Sequence, residues 1–140
     1  MRIMIATHGS EACEDIFHQL KLILVTPAAL SEVVVVTVID QGDSAMQALS
    51  GILPTDTRGV EDAQQTLDRA RQLLGPLADK AYFRQLSGTP GVEIVRFARE
   101  VGAQLLVVGS RTRHGLDRLV MGSVSAHVVA NAPCSVQVVK

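Results

Sequence analysis

Tryptophan is absent from the sequence and aromatic residues make up 3% of it. The chain therefore lacks the material for the stacked aromatic platforms that hold single-stranded nucleic acid. An excess of charge is also missing: 13 basic against 14 acidic side chains leave a formal net charge of -1, so no overall field draws DNA, RNA or an anionic membrane. Cysteine is scarce. Cys13 and Cys134 stand far apart with no CxxC or ligand cluster, a usage that suits a reducing compartment better than a zinc or redox site. Cys13 falls in the first turn of a predicted helix, where a thiol pKa can drop, but Glu11, Glu14 and Asp15 oppose that shift. Long apolar runs are lacking as well, because Lys21, Pro27 and Glu32 interrupt them short of the roughly 20 residues a membrane span needs. The opening MRIMIATHGSE has too short an apolar run for a secretory signal. These absences set the expectation of a soluble, cytoplasmic protein without a membrane or nucleic-acid partner.

Several catalytic and nucleotide motifs are missing too. No G-x-x-x-x-G-K-[ST] marks a P-loop, and no G-x-G-x-x-G follows the first strand candidate. Ser10, Ser110, Ser123 and Ser125 stand near glycines but outside any G-x-S-x-G, so they read as helix caps rather than hydrolase nucleophiles. His8, His18, His114 and His127 show no metal-binding spacing.

What is present alternates regularly between strand and helix signals. With 140 residues, a single domain over 1–140 buries about 70% of the unfolded surface, enough for a core without staples. The apolar run 3–6 stops at THGSE, where Ser10 can cap a helix whose apolar positions are Ile16, Phe17, Leu20, Ile23 and Leu24, ended by Pro27. Residues 33–39, VVVVTVI, are almost wholly β-branched and lack the alternation of a half-solvated strand, which predicts burial on both faces. Residues 40–58 read as a long connection rich in Gly, Asp, Ser and Pro. Helical spacing resumes at Ala63, Leu67, Ala70, Leu74 and Leu77, followed by a strand at 81–86 and a turn at SGTPG. A third helix begins near Pro90 with an apolar face of Val92, Ile94, Val95, Ala98 and Val101, stops at Gly102, and gives way to the strand QLLVVG. A short helix in SVSAHVVANAP, ended by Pro133, and a last strand, SVQVV, close the chain. The pattern predicts a doubly wound α/β fold, Rossmann-like, with five mostly parallel strands and helices on both faces.

In such a sheet, ligands collect beyond the carboxyl ends of the strands where the winding reverses. If the first and fourth strands are neighbours, ATHGS and VVGSRTR face one crevice. Gly109 lets the chain leave the fourth strand without a side chain in the way of a ligand, and Gly122-Ser123 presents N–H groups and a hydroxyl at the start of the last helix, a site suited to phosphate. The first helix is a poorer cradle because its acids already occupy its positive end. Arg111, Arg113 and Arg118 can neutralise charge, although an arginine taken singly is more often a solvated surface residue.

The segments IMIATHGSE, VVVVTVID and above all VVGSRTRHGLDRLVMGSVSAHVVANAPCSVQVV closely resemble the universal stress protein family, in order and spacing along nearly the whole chain. Nucleotide-binding members carry G-x2-G-x9-G-[ST]. The resemblance implies an adenine nucleotide, usually ATP, at the switch point of the sheet, and homodimerisation through the last strand. By position it assigns phosphate contacts to Gly109, Gly122 and Ser123, with Val124 and Ser125 adding main-chain or hydroxyl contacts and Arg111 inside the first spacing. Ala6, Thr7 and Val38 take the places that line adenine and ribose, with Val108 beside them.

Two positions depart from the family pattern: Thr112 stands where the second glycine is usual, and His8 where an acidic residue is usual. If position 112 needs a left-handed backbone, threonine costs about 1–2 kcal/mol there. A neutral imidazole at position 8 accepts one hydrogen bond and donates one, whereas a carboxylate accepts from two ribose hydroxyls. The leading expectation is a stress-response regulator or sensor binding ATP or a related adenine nucleotide, weakly because of these departures. Magnesium would arrive with the nucleotide, since the loop has no obvious acid to hold it, and Asp40 and Asp117 are the acids nearest the inferred site. No general base stands out, so any ATP hydrolysis would be slow. A nucleotide-free dimeric adaptor of the same family type is the alternative reading.

Overall fold

The computed structural model describes residues 1–8, 10–23, 32–40, 58–110 and 122–140. Five strands form one sheet: β1 (Arg2–Ala6), β2 (Glu32–Asp40), β3 (Ala81–Gly88), β4 (Leu105–Gly109) and β5 (Ser135–Val139), in the order β3-β2-β1-β4-β5. All four strand pairings are parallel. Between them run α1 (Ser10–Ile23), α2 (Arg58–Leu74), α3 (Pro90–Val101) and α4 (Ser123–Asn131), with a 3-10 segment at Gly75–Lys80.

Parallel strands need crossovers, and here the crossovers cover both faces. Ile3, Ile5, Val33, Val35 and Val107 pack against Ile16, Phe17 and Leu20 of α1 and Leu67, Ala70 and Leu74 of α2. The alternate residues Met4, Val34, Val36 and Leu106 pack against Ile94, Val95 and Ala98 of α3 and Val128 of α4. Val33 through Val38 is buried without interruption, as expected for a central strand with helices above and below it.

Element ends follow local chemistry. Pro90 opens α3 at a position where a missing N–H costs no hydrogen bond, and Gly102 closes it in the left-handed region at φ 65°. Two readings from the sequence need correction. Val92 is exposed rather than part of the apolar face of α3; the buried stripe is Gly91, Ile94, Val95 and Ala98, and one residue on from Gly91 lies about 100° round the helix. β3 runs two residues past position 86, because Ser87 and Gly88 continue the ladder opposite Ile39 and Asp40. The connection read at 40–58 lies, apart from its end residues, outside the described residues.

Candidate functional site

The winding reverses between β1 and β4. From β1 the chain proceeds to β2 and β3 on one side, and from β4 to β5 on the other. Ala6 and Val108 are the last register pair between the two strands. Past that pair the ladders to the outer strands continue by one rung each: the Thr7 N–H donates to the Val36 carbonyl at 2.9 Å, and the Ser110 N–H donates to the Val139 carbonyl at 2.7 Å. The point where the winding reverses is where a doubly wound sheet offers a crevice to ligands.

The side chains around that crevice divide by face. Ala6, Val38 and Val108 are buried on the side covered by α3 and α4. Thr7 is buried and His8 exposed. At Gly109, a Cβ would meet, among the described residues, the Ile16 Cδ1 at 3.5 Å, an ordinary contact. Asp40 ends β2 on the far side of Val38, opposite Gly88.

The N-terminus of α4 is the remaining wall. Gly122 is buried and extended at φ -60°, ψ 158°, has no side chain to cap the helix, and is followed by a first turn without acidic residues. The first N–H groups of a helix have no partner within it and carry partial positive charge. Ser123 and Val124 are exposed at this end. Ser125 is buried, and its hydroxyl donates to the Gly122 carbonyl at 3.0 Å. Its hydroxyl hydrogen is therefore committed within the cap, and its N–H is the donor it has left for a ligand. The structure brings Ala6, Thr7, Val38, Val108, Gly109, Gly122, Ser123, Val124 and Ser125 to strand ends or to the start of α4. Arg111, Thr112, Arg113, Arg118 and Asp117 lie outside the described residues.

One feature of this region was not visible to sequence reasoning: the close approach of α3 to α4, where a Cβ on Gly91 would stand 3.0 Å from the His127 Cδ2. The sequence places Gly91 in the turn SGTPG and carries no signal of that contact.

Comparison with known proteins identifies the lineage. The model of the universal stress protein family matches residues 1–140. The chain belongs to the universal stress protein family. Among curated relatives, universal stress protein MJ0531 of Methanocaldococcus jannaschii is 38% identical over 80 residues, covering 57% of this chain and 47% of that one. Universal stress protein Slr1101 of Synechocystis is 34% identical over 79 residues, covering 56% and 73%. The match thus spans about half the length of MJ0531. In three dimensions this universal stress protein is similar to MJ0577, also of Methanocaldococcus jannaschii, with a TM-score of 0.79 at 25% identity over 99% of this chain and 94% of the other. It also shares its fold with a universal stress protein solved in complex with cAMP, with a TM-score of 0.67 at 24% identity, covering 100% and 97%.

Among the described residues, no helix is long and apolar enough to cross a membrane.

Proposed function

We propose that this universal stress protein binds ATP or a related adenine nucleotide in the crevice between β1 and β4, and acts as a cytoplasmic, stress-linked regulator or sensor. The observation that carries the reading is the reversal of the winding between the adjacent strands β1 and β4, whose last register pair is Ala6–Val108. That is where a doubly wound fold receives ligands. The uncapped, acid-free start of α4 supplies amide donors for phosphate oxygens through Gly122, Ser123, Val124 and Ser125. Gly109 lets the main chain approach the phosphates, and Arg111 adds positive charge. Thr7, His8, Ala6, Val38 and Val108 surround the base and ribose. A family relative in complex with cAMP supports an adenylate as the ligand class. Magnesium is expected as the companion of the phosphates, the way this ion is commonly carried.

Residues 1–140 form one domain in this reading, and two copies join through β5. That strand ends the sheet and carries half-buried Val136 and Val138, leaving one row of its main-chain groups open to pairing. The domain holds its nucleotide rather than turning it over rapidly.

Calorimetric titration with ATP tests the proposal. The expected result is weak saturable binding by the natural chain, strengthened about tenfold in Thr112→Gly if the threonine strain of about 1–2 kcal/mol is relieved. Absence of heat from both forms would favour the nucleotide-free dimeric adaptor. Mass spectrometry of small molecules released from freshly purified protein identifies which adenylate is carried.

A further inference from the structure

Away from β1 and β4, the sheet ends in β3, whose outer row of main-chain groups faces no other strand among the described residues. A groove of about 510 Å³ runs between this edge strand and α3, lined in part by Val34, Tyr82, Arg84, Phe97, Glu100 and Val101. The register explains its position. Tyr82 stands beside Val34 and Arg84 beside Val36, on the sheet face that α3 packs against, yet Tyr82 remains 58% exposed. Tyr82 and Phe97 supply two of the four aromatic residues of the whole chain to this groove.

The unpaired charge along the edge is positive. β3, AYFRQLSG, contains no acidic residue, and the two carboxylates that also line the groove are each paired with an arginine, Glu32 with Arg2 and Glu100 with Arg96. Arg84 is exposed on the groove face, and on the other face the Arg71 guanidinium lies 4.4 Å above the centroid of the Phe83 ring. Neither arginine has a carboxylate partner among the described residues. A second β3 edge would bring like charges together, whereas an acidic strand would neutralise them.

We propose that the β3 edge and its groove dock an extended acidic segment of a partner protein. The segment adds to the sheet as an outer strand through main-chain hydrogen bonds, seats an apolar side chain against Tyr82 and Phe97, and places a carboxylate two residues along on Arg84. Strand addition draws affinity from the backbone ladder and selectivity from alternate side chains. The spacing required of the segment is therefore apolar-x-acidic. This inference is independent of nucleotide binding.

The test uses a capped octapeptide repeating Val-Thr-Glu-Thr twice. Tyr82 is the only tyrosine of a chain without tryptophan, so its emission reports the groove directly. The expected result is a saturable change in Tyr82 emission together with slowed amide exchange along β3. Arg84→Glu should weaken binding of this peptide by about tenfold or more, with an unchanged circular dichroism spectrum because the side chain is exposed. A peptide carrying Lys in place of Glu should regain affinity for that variant. Three results would overturn the proposal: no saturable response from the natural chain at millimolar peptide, undiminished binding of a peptide N-methylated at alternate residues, or protection of the β3 amides in the peptide-free protein that is lost on dilution, which would show a second copy already on that edge.

Discussion

Gly91 of α3 lies against the ring of His127 of α4: a Cβ at position 91 would stand 3.0 Å from Cδ2 and 3.1 Å from Cβ of that histidine. The histidine Cβ is fixed by its own backbone, so rotating the ring does not remove the conflict. Gly91→Ala gains less than the roughly 1 kcal/mol of helix propensity that an interior position gives, because Gly91 is the second residue of α3, and it forces two helices apart, an overpacking that costs about 1–3 kcal/mol. A net loss in denaturant midpoint is expected. In a His127→Gly background, which removes that Cβ together with the ring, the same substitution should become neutral or stabilising, and a loss of equal size in both backgrounds would disprove the contact argument.

Ser123→Asp should move stability and binding in opposite directions. A carboxylate in the first turn of α4 complements the helix dipole and stabilises by about 0.3–1 kcal/mol, since that turn holds no acid now. The same charge repels phosphate. Thermal melting without ligand should shift upward while ATP affinity falls. A substitution that leaves ATP affinity unchanged would place the phosphates elsewhere.

How far these elements could be read in advance depended on the kind of interaction involved. The β-branched run in β2, the proline that opens α3 and the glycine that closes it are properties of individual side chains, and the spans they indicate match the structure closely. The adjacency of β1 and β4 followed from the rules of doubly wound sheets and is present. Ser87 and Gly88 have poor strand propensity and join β3 because Ile39 and Asp40 offer them a ladder, an instance of tertiary context overriding local preference. Within the candidate site, the placement of Gly109 at the end of β4 and of Gly122-Ser123 at the start of α4 was legible in the sequence. The sharing of the Ser125 hydroxyl with the Gly122 carbonyl was not.

Phe17 packs into the core between α1 and the sheet at 1% exposure. Phe17→Ala should lower the free energy of unfolding by about 3–5 kcal/mol, the range for emptying a buried aromatic site. Chemical denaturation measures it. A cost below about 1 kcal/mol would mean that α1 does not seat as described.

Burial pushes the Cys134 thiol above its ordinary pKa. The neutral form is favoured in the folded state, so its stability contribution is full below the unfolded thiol pKa and is lost as pH rises through the folded value. Alkylation by iodoacetamide should be slower than that of a free thiol at neutral pH and accelerate as the solution becomes alkaline. Rapid labelling of folded protein at neutral pH would contradict this.

All five strands of the sheet point the same way. Every outgoing connection therefore emerges on one rim and every returning connection on the other. Descendants of such a chain can rewrite the outgoing turns, altering which small molecule is welcomed, while the returning turns and the ladder between them are inherited intact.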